Sequence, residues 1–590
     1  MSTALTRGLR TVRTRITSLL PGRADLVAVR RDPRRDLLAG LTVAIVALPL
    51  ALGFGVSSGL GAEAGLATAV IAGAVAAVFG GSNLQVSGPT GAMTVVLVPI
   101  VGRYGPTGVL TVGLLAGVLL IGLAALRAGK YMQYVPAPVV EGFTLGIACV
   151  IGLQQVPNAL GVPTPKGDKV LVVTWRAFEE FAKSPNWTAV GLALAVAAVM
   201  LLGARWRPTI PFSILAVIAA TAVAQLAHLD AAKPIGELPS GLPAPSLAFL
   251  HLGDLGSLAA PAVAVAALAA LESLLSASVA DGMTVGQQHD PDRELFGQGL
   301  ANIAAPLFGG VPATGAIART AVNVRTGAAS RTAAFTHAVV LAVIVFAASP
   351  LVAKIPLAAL AGVLLATAVR MVEVGSLKAM ARATRSDAMI LALTAVGTLA
   401  LDLVYAVIIG LAVAGALALR AVARQARLDR VPLDRGDHSA EEHALLAEHI
   451  VAYRLDGPLF FAGAHRFLLE LTEVADVRVV ILRMSRVSTI DATGALVLKD
   501  AVEKLRRRGI VVLASGIRPG QLRVLDSVGA LELLRPDGRD HATTPEAIRA
   551  ARGHLEGVVP AQRTSPAPGE EAVLSGTTGA GDHHPGPTER

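Results

Sequence analysis

The sequence predicts a polytopic α-helical membrane protein that ends in a small α/β domain. Of the 590 residues, 53% are hydrophobic and only 16% are charged. Apolar segments also follow one another from residue 37 to about residue 420. A soluble protein carries about a quarter charged residues, and a tilted helix needs about 20 apolar residues to cross a bilayer. These observations exclude a purely soluble protein and make the lipid bilayer a partner of the chain.

The charged residues and the single cysteine exclude further classes. The chain has 51 basic and 42 acidic residues, a net charge of +9, and 4% aromatic residues. The basic residues flank apolar segments and do not alternate with stacking rings, which is typical of membrane topology and not of nucleic-acid binding. Cys149 alone cannot form an internal disulfide or a cysteine-based metal cluster. We therefore expect no cofactor, no metal site and no catalytic residue.

Composition divides the chain into five parts. Residues 1–36 form a basic segment without the apolar core and cleavage site of a signal peptide. Residues 37–420 form the transmembrane domain, 421–447 a linker and 448–552 the small α/β domain. Residues 553–590 are rich in Pro, Gly, Thr, Glu and His and are predicted to be disordered, because such a segment buries little apolar surface.

Apolar runs and the breakers between them predict fourteen spans, and basic loops at alternate ends place both termini in the cytoplasm. The loop 158–186 is the exception, since its lysines and Arg176 lie outside. The predicted segments are 37–58, 64–80, 88–101, 107–126, 137–157, 187–203, 210–228, 259–281, 294–309, 313–325, 330–352, 356–370, 386–401 and 403–420.

Two of these segments are too short to cross a bilayer, and each opens with a Gly/Pro break. The third opens over 86–92 (VSGPTGA) and the tenth over 309–316 (GGVPATGA). The tenth segment comes seven positions after the third, so they occupy corresponding positions in two halves of opposite orientation. Broken helices in this arrangement mark the midplane binding site of a transporter, and the sequence predicts a seven-plus-seven inverted repeat with two half-helices.

The breaks favour an anion as the ligand. A helix that begins inside the membrane leaves its first N–H groups without intrahelical partners and carries about half a positive charge at that end. The hydroxyls of Thr90 and Thr314 can bind a ligand or cap the helices, and small residues let a ligand approach the backbone. Kinks or tight helix packing without a ligand are the alternative. The small residues are Gly91, Ala92, Gly315 and Ala316.

Few ionisable groups lie inside the spans, and such groups are functional candidates because they are costly to bury. Glu272 lies in the middle of the eighth segment, with Ser276 one turn further on the same face. Arg319 lies about one turn into the tenth segment. Glu272 and Arg319 could form a pair near the midplane, either functional or purely structural. Alternatively, a protonated Glu272 could move a proton together with the anion.

Several motifs together resemble the SulP anion transporters, the bacterial branch of solute carrier family twenty-six. These motifs are AGLTV at 39–43, LPLALGF at 48–54, SGPT at 87–90, VAD at 279–281, GQG at 297–299 and PATGAIART at 312–320. The carboxyl domain is similar to their STAS domain, and the match runs from about residue 33 to 540. The resemblance implies fourteen spans, a core and a gate unit with an elevator-like motion, and a homodimer.

The resemblance also implies roles for individual residues. Phe54 corresponds to an aromatic residue that lines the site, Thr90 to a hydroxyl at the start of the third segment, and Glu272 to the acidic residue of the eighth span. Gly315 and Ala316 correspond to the backbone amides opposite.

The first three spans look most like those of cyanobacterial sodium-coupled bicarbonate transporters, but the coupling residues differ. Those transporters carry Asp, Thr and Thr where this chain has Glu272, Ser276 and Ile317, and a small residue in place of Arg319. Losing an oxygen ligand and gaining a cation both weaken a sodium site. Proton coupling or exchange is therefore favoured. Leu50 argues against sulfate as the substrate, because many sulfate-transporting members of the family have glutamine at this position.

The STAS-like part is predicted to contain strands at 449–455, 477–484 and 510–515 and helices at 493–508 and 520–528. In bacterial anti-sigma antagonists of this fold, a phosphorylated serine follows the aspartate of the switch loop. Here Ala492 follows Asp491 and cannot accept phosphate. Thr493 is expected to cap the next helix. The domain could serve dimer contact, regulation or docking of a cytoplasmic partner.

The leading hypothesis is a secondary active transporter of a small oxyanion of the sulfate or bicarbonate class in a bacterial inner membrane, and not an enzyme. Its partners would be the anion and a coupling proton or sodium ion. Sodium-coupled bicarbonate uptake, proton-coupled C4-dicarboxylate uptake, an uncoupled anion channel and a signalling receptor remain open. The predicted substrate-binding residues are Phe54, Thr90, Gly91, Ala92, Gly315, Ala316, Ile317 and Arg319, and the predicted coupling residues are Glu272 and Ser276.

Overall fold

The computed structural model describes residues 19–22, 25, 27, 32–165, 167, 169–207, 210–229, 233–236, 241–401, 403–424, 427–431, 449–460, 477–539 and 541–556. The chain forms two compact units, Met1–Ala416 and Leu417–Arg590, which divide within a helix. Most of the predicted basic segment, and residues 557–590 of the predicted disordered tail, lie outside the described residues.

Among its described residues, the first unit contains helices and two very short strands. Its elements are α1 (Pro33–Ser57), α2 (Ala62–Phe79), β1 (Ser87–Gly88), α3 (Gly91–Ala125), α4 (Ala137–Leu160), α5 (Val170–Lys183), α6 (Trp187–Trp206), α7 (Phe212–Leu226), α8 (Leu255–Gly282), α9 (Pro291–Leu307), β2 (Thr314–Gly315), α10 (Ile317–Arg325), α11 (Thr332–Val352), α12 (Leu357–Met371), α13 (Val374–Ala383), α14 (Arg385–Ala400) and α15 (Leu403–Ala423).

Each predicted membrane segment overlaps one of these helices. The third and fourth segments share α3, which is interrupted at Gly105, where φ is 70° and ψ is −179°. Glycine adopts this positive φ readily, and the following Pro106 suits the first turn of a new helix. Within the described residues, nine helices are long and apolar enough to cross a membrane. The polytopic helical class is confirmed, and the count of fourteen spans stays a prediction.

The long helices pack in two groups. In the first group, α9 packs against α2 and α3, α11 against α1 and α2, and α8 against α3 and α10. In the second group, α4 packs against α12 and α14, and α6 against α12. Small residues allow close approach in the first group: a Cβ atom on Gly65 would lie 2.0 Å from the carbonyl oxygen of Ala51. Such contacts are typical of helices that associate within a membrane.

Two short helices were not predicted. The segment 158–186, expected to be a loop, contains α5, and α13 lies between α12 and α14. Both helices are shorter than a membrane span and carry charged residues, so a search for long apolar runs passes over them.

A charged cluster joins the amino-terminal segment to the helical bundle. The carboxylate of Asp25 lies 2.8 Å from Nη2 of Arg293 and 2.9 Å from Nη2 of Arg331. Burial opposes ionisation of Asp25, but the hydrogen bonds from Arg293 and the Gly22 amide and the charge of Arg331 outweigh it, so the pKa of Asp25 is lowered. This contact ties the segment to the starts of α9 and α11.

The second unit contains the strands β3 (Arg427–Val431), β4 (Ile450–Leu459), β5 (Val479–Arg483), β6 (Val487–Ile490) and β7 (Val511–Ser515), and the helices α16 (Ala492–Arg507), α17 (Pro519–Ser527), α18 (Leu531–Leu534) and α19 (Thr544–Glu556). The sheet order is β3-β4-β5-β7, and β6 also pairs with β4. Strand β3 is antiparallel to β4, and the other pairs are parallel. This is the predicted α/β unit.

The second unit differs from the prediction in several details, and β6, α18 and α19 were not predicted. Strand β3 lies within the predicted linker 421–447. The helix α19 continues to Glu556, beyond the predicted domain end at residue 552. Asp491, and not Thr493, caps α16, because its side chain accepts a hydrogen bond from the Gly494 amide at 2.7 Å. An aspartate before the first helical residue is a strong capping residue, and Thr493 lies inside the helix.

Candidate functional site

The two Gly/Pro breaks lie side by side. Strands β1 and β2 pair antiparallel, with Ser87 opposite Gly315 and Gly88 opposite Thr314. The helices α3 and α10 begin two or three residues after these strands. The pairing therefore brings together two helix starts that are more than 200 residues apart in the sequence.

The two helix starts are capped differently. Thr90 precedes α3 with extended backbone angles, and its Oγ1 accepts a hydrogen bond from the Met93 amide at 3.4 Å. Ala316 precedes α10 and has no side chain able to cap it. Since the first amides of each helix have no intrahelical acceptor, both starts present partial positive charge.

The carboxylate of Glu272 joins the two breaks. Its Oε2 accepts hydrogen bonds from Oγ1 of Thr90 at 2.8 Å and from Oγ1 of Thr314 at 2.6 Å. The two threonine hydroxyls lie 3.1 Å apart. Glu272 projects from the middle of α8 and is half-buried. The carboxylate thus lies between Thr90, which caps α3, and Thr314 of β2. This position is next to the predicted anion site.

Arg319 contacts Pro89, the residue that follows β1, and is almost completely buried, with 1% exposure. Its Nη2 donates to the carbonyl of Pro89 at 2.5 Å, and its Nη1 has no hydrogen-bond partner among the described residues. A Cβ atom on Gly88 would lie 2.6 Å from Nη1, so glycine at this position leaves room for the guanidinium group.

The possible pair between Glu272 and Arg319 is not a direct ion pair. The structure places no ion pair within 4.0 Å between these two described residues: the carboxylate contacts threonine hydroxyls and the guanidinium contacts a backbone carbonyl. Glu272 takes its partners from both helix breaks, and Arg319, which follows the second break, takes its partner from the first. The positive charge of Arg319 is therefore not neutralised by direct contact.

The amides predicted to face the anion from the second break already have acceptors. The amide of Gly315 donates to Oγ of Ser273 at 3.0 Å, and the amide of Ala316 donates to the carbonyl of Val86 at 2.9 Å. These two hydrogen bonds therefore connect the second break to α8 and to the residue before β1. Ile317, the first residue of α10, is 40% exposed and marks where this helix start is open.

Phe54 and Gly91 are brought together at the start of α3, as the site prediction requires. Phe54 is 6% exposed, and its Cε1 lies 3.1 Å from the position that a Cβ atom on Gly91 would occupy. Ile151 of α4 lies closer still, with Cδ1 at 2.2 Å from that position. Ile151 was not predicted, because nothing in the sequence connects α4 with this site. Ala92 is buried.

Ser276 connects α8 to α10. Its Oγ lies 3.0 Å from Oγ1 of Thr320, and that hydroxyl accepts a hydrogen bond from the Val86 amide at 3.0 Å. Ser276 and Thr320 are fully buried. These hydrogen bonds connect α8 to Val86, the residue before β1. They do not include the carboxylate of Glu272.

One face of α9 holds both breaks through polar side chains spaced four residues apart. Gln298 donates to Oγ of Ser87 in β1 at 2.6 Å. Asn302 donates to the carbonyl of Ala313 and accepts from its amide, both at 2.8 Å. Gln298 and Asn302 therefore make hydrogen bonds between separate segments.

Glu294 completes this face. It is 1% exposed, and its Oε2 accepts from the amides of Gly81 at 2.9 Å and Ser82 at 3.1 Å. Its Oε1 accepts from Gln85 at 2.8 Å and Gln298 at 3.0 Å. Sequence analysis missed Glu294, although its spacing of four residues from Gln298 and Asn302 was visible. We call Glu294, Gln298 and Asn302 the α9 ladder.

The fold and this site define a membrane transport protein in which two broken helices meet in antiparallel pairing. Comparison with known families agrees: residues 34–394 match the Sulfate permease family and residues 444–544 match the STAS domain. The chain belongs to the sulfate permease family. The resemblance to SulP transporters with a STAS domain is thereby confirmed, and the chain is a multi-pass membrane transporter and not an enzyme.

Two bacterial relatives align over most of the chain. The chain is 35% identical over 518 residues to YvdB of Bacillus subtilis, a candidate sulfate transporter by name, covering 86% of this chain and 95% of YvdB. It is 31% identical over 538 residues to the bicarbonate transporter BicA of Synechocystis, covering 88% of this chain and 94% of BicA.

Solved structures support the fold. The transmembrane domain of a cyanobacterial BicA aligns with a TM-score of 0.59 at 32% identity, covering 65% of this chain and 98% of that domain. The structure of SLC26A9 aligns with a TM-score of 0.77 at 17% identity, covering 92% of this chain and 94% of SLC26A9. The second likeness shows the fold alone.

Proposed function

We propose that this protein is a secondary active transporter of a small inorganic oxyanion of the sulfate or bicarbonate class, in a bacterial inner membrane with both termini in the cytoplasm. The observation that carries the proposal is the meeting of two positively polarised helix starts beside a buried arginine whose Nη1 has no described partner. Backbone amides, hydroxyls and a guanidinium group suit the oxygens of an oxyanion.

Glu272 supports proton coupling. Its carboxylate lies against Thr90 at the start of α3, so an ionised Glu272 would repel an anion bound there. Protonation removes this negative charge, while Arg319 stays positive. The proton and the anion therefore favour each other's binding, which is the thermodynamic requirement for symport. Exchange of one anion for another would use the same site.

The packing supports an elevator-like alternating access. The site residues lie on or next to α1, α3, α8 and α10 of the first packing group, except that Ile151 reaches the site from α4 of the second group. A displacement of the first group along the second would carry Glu272, Arg319 and both helix starts as one body, since the α9 ladder binds both breaks. We extend this proposal to a homodimer, by analogy with the SulP family.

Uptake into proteoliposomes tests the proposed function. One radiolabelled anion is competed with sulfate, bicarbonate and dicarboxylates, under an imposed pH gradient and then under an imposed sodium gradient. We expect sulfate or bicarbonate to compete, and accumulation to follow the pH gradient, because the apolar side chain of Ile317 offers no oxygen ligand to sodium. Accumulation driven only by sodium, or equilibration without accumulation, would contradict coupled proton transport.

A further inference from the structure

The helix α5 exposes an apolar strip. Leu171, Trp175 and Phe178 are all exposed, and their spacing of four and three residues places them on one side of the helix. A neighbouring side packs against α4: Thr174 and Ala177 are buried, and Oγ1 of Thr174 donates to the carbonyl of Leu153 at 3.2 Å.

A third side of α5 is charged. Arg176, Glu179 and Lys183 are exposed and lie on the side away from Thr174. A helix with one face on the protein, an exposed apolar strip and a charged strip is typical of a helix that lies in the plane of a membrane interface.

The helix α5 also contacts the amino end of α6, a helix with the properties of a lipid-facing span. The ring of Phe181 packs edge-on against Trp187 at 5.3 Å. The 20 residues of α6 begin at Trp187 and end at Trp206, which are 70% and 76% exposed. Such a helix is about 30 Å long, close to the hydrocarbon thickness of roughly 30 Å. Tryptophans at both ends are expected at the two interfaces.

The helix α13 packs near the opposite end of α4. Oγ of Ser376 donates to Oε1 of Glu141 at 2.8 Å, close to the start of α4, whereas Thr174 contacts Leu153 near its end. These two contacts are about 18 Å apart along the helix axis. Val374 is an exposed apolar residue of α13. Four exposed basic residues lie on or beside α13, namely Arg370, Lys378, Arg382 and Arg385.

We propose that α5 and α13 are in-plane membrane helices that bind opposite leaflets and fix α4 in the bilayer. The partner is the lipid bilayer itself: the apolar strip of α5 enters the boundary between headgroups and acyl chains, and the basic residues at α13 bind anionic headgroups. The chain order supports the pairing, because α5 lies between α4 and α6 and α13 lies between α12 and α14, corresponding positions in the two halves.

Spin labels on the full-length protein in vesicles test the α5 half of the proposal. In a Cys149→Ser background, Leu171→Cys labels the apolar strip and Arg176→Cys labels the charged strip as the matched control. We expect the label at 171 to collide more with oxygen than with a water-soluble nickel chelate, and the label at 176 to show the reverse. Equal accessibility to the chelate at both positions would overturn the proposal.

Fluorescence provides a second measurement on the same helix. With Trp187→Phe and Trp206→Phe, Trp175 is the single tryptophan of the chain. Lipids brominated at a shallow acyl position should quench it more strongly than lipids brominated near the chain ends. Absence of quenching by either lipid contradicts an interfacial position for α5.

The effect of anionic lipid on stability tests the part of the proposal that concerns α13. We expect phosphatidylglycerol to raise the thermal midpoint of the wild-type protein, and the double variant Lys378→Gln/Arg382→Gln to lose most of this increase. The matched control is Arg506→Gln/Arg507→Gln, which removes two basic residues from α16 in the second unit and should keep the increase. If the α13 variant keeps the full increase, α13 does not bind the headgroups.

Discussion

The charges of the site are arranged by hydrogen bonds and not by a direct ion pair. Glu272 accepts from two threonine hydroxyls, and Arg319 donates to the carbonyl of Pro89. The sequence predicted both residues as candidates because ionisable groups inside apolar segments are rare. It could not predict their separation, since the rotation of α8 against α10 decides which groups meet.

Replacing Glu272 by glutamine tests the proton role of the carboxylate. The amide keeps the size and accepts the threonine hydrogen bonds, but it carries no charge at any pH. We expect Glu272→Gln to transport with no pH dependence, or to abolish coupled uptake while still binding the anion. Uptake is measured in proteoliposomes between pH 6 and 8. The exposed Glu63 of α2, as Glu63→Gln, should behave as wild type, and an unchanged pH response of Glu272→Gln would refute the proposed role.

Removing the guanidinium group tests the contribution of Arg319 to anion affinity. Hydrogen bonds to charged groups contribute about 1.5–3 kcal/mol, so Arg319→Ala should weaken binding roughly 10- to 100-fold. Isothermal calorimetry on the purified protein measures the change. Arg325→Ala is the matched control, because Arg325 is exposed in the last turn of the same helix. Wild-type affinity of Arg319→Ala would show that the guanidinium does not bind the anion.

At the scale of elements, the helix breaks were predictable and their pairing was not. Glycine and proline at 86–92 and 309–316 mark backbone that cannot continue a helix. The antiparallel pairing of β1 with β2 depends on residues far away in sequence, above all on the α9 ladder. The four-residue spacing of the ladder was visible in the sequence. Several of its partners are backbone groups, which leave no trace in side-chain patterns.

Truncating Asn302 tests the α9 ladder. Asn302 is fully buried and satisfies both the amide and the carbonyl of Ala313. Asn302→Ala leaves these groups without partners, which costs about 1–3 kcal/mol of stability. We expect a lower thermal midpoint and reduced anion affinity in the same variant. A loss of stability with unchanged affinity would show that the ladder supports the fold without positioning the helix starts.

At the scale of the whole molecule, composition predicted a helical membrane domain followed by an α/β unit, and the family match agrees. Composition did not reveal α5 and α13, because a short amphipathic helix resembles a loop when only long apolar runs are sought. Strand β3 was missed for a related reason: three of its five residues are charged and it lies within a polar region. The anion itself is set by a few contacts at one site, which overall composition does not report.

The central claim is that one anion and one proton bind together at the meeting of the α3 and α10 starts. Calorimetry of anion binding at pH 8, in two buffers of different ionisation enthalpy, measures the number of protons taken up with the anion. We expect proton uptake by the wild-type protein and none by Glu272→Gln. Anion binding without proton uptake in the wild type, or uptake that persists in the variant, would contradict this claim.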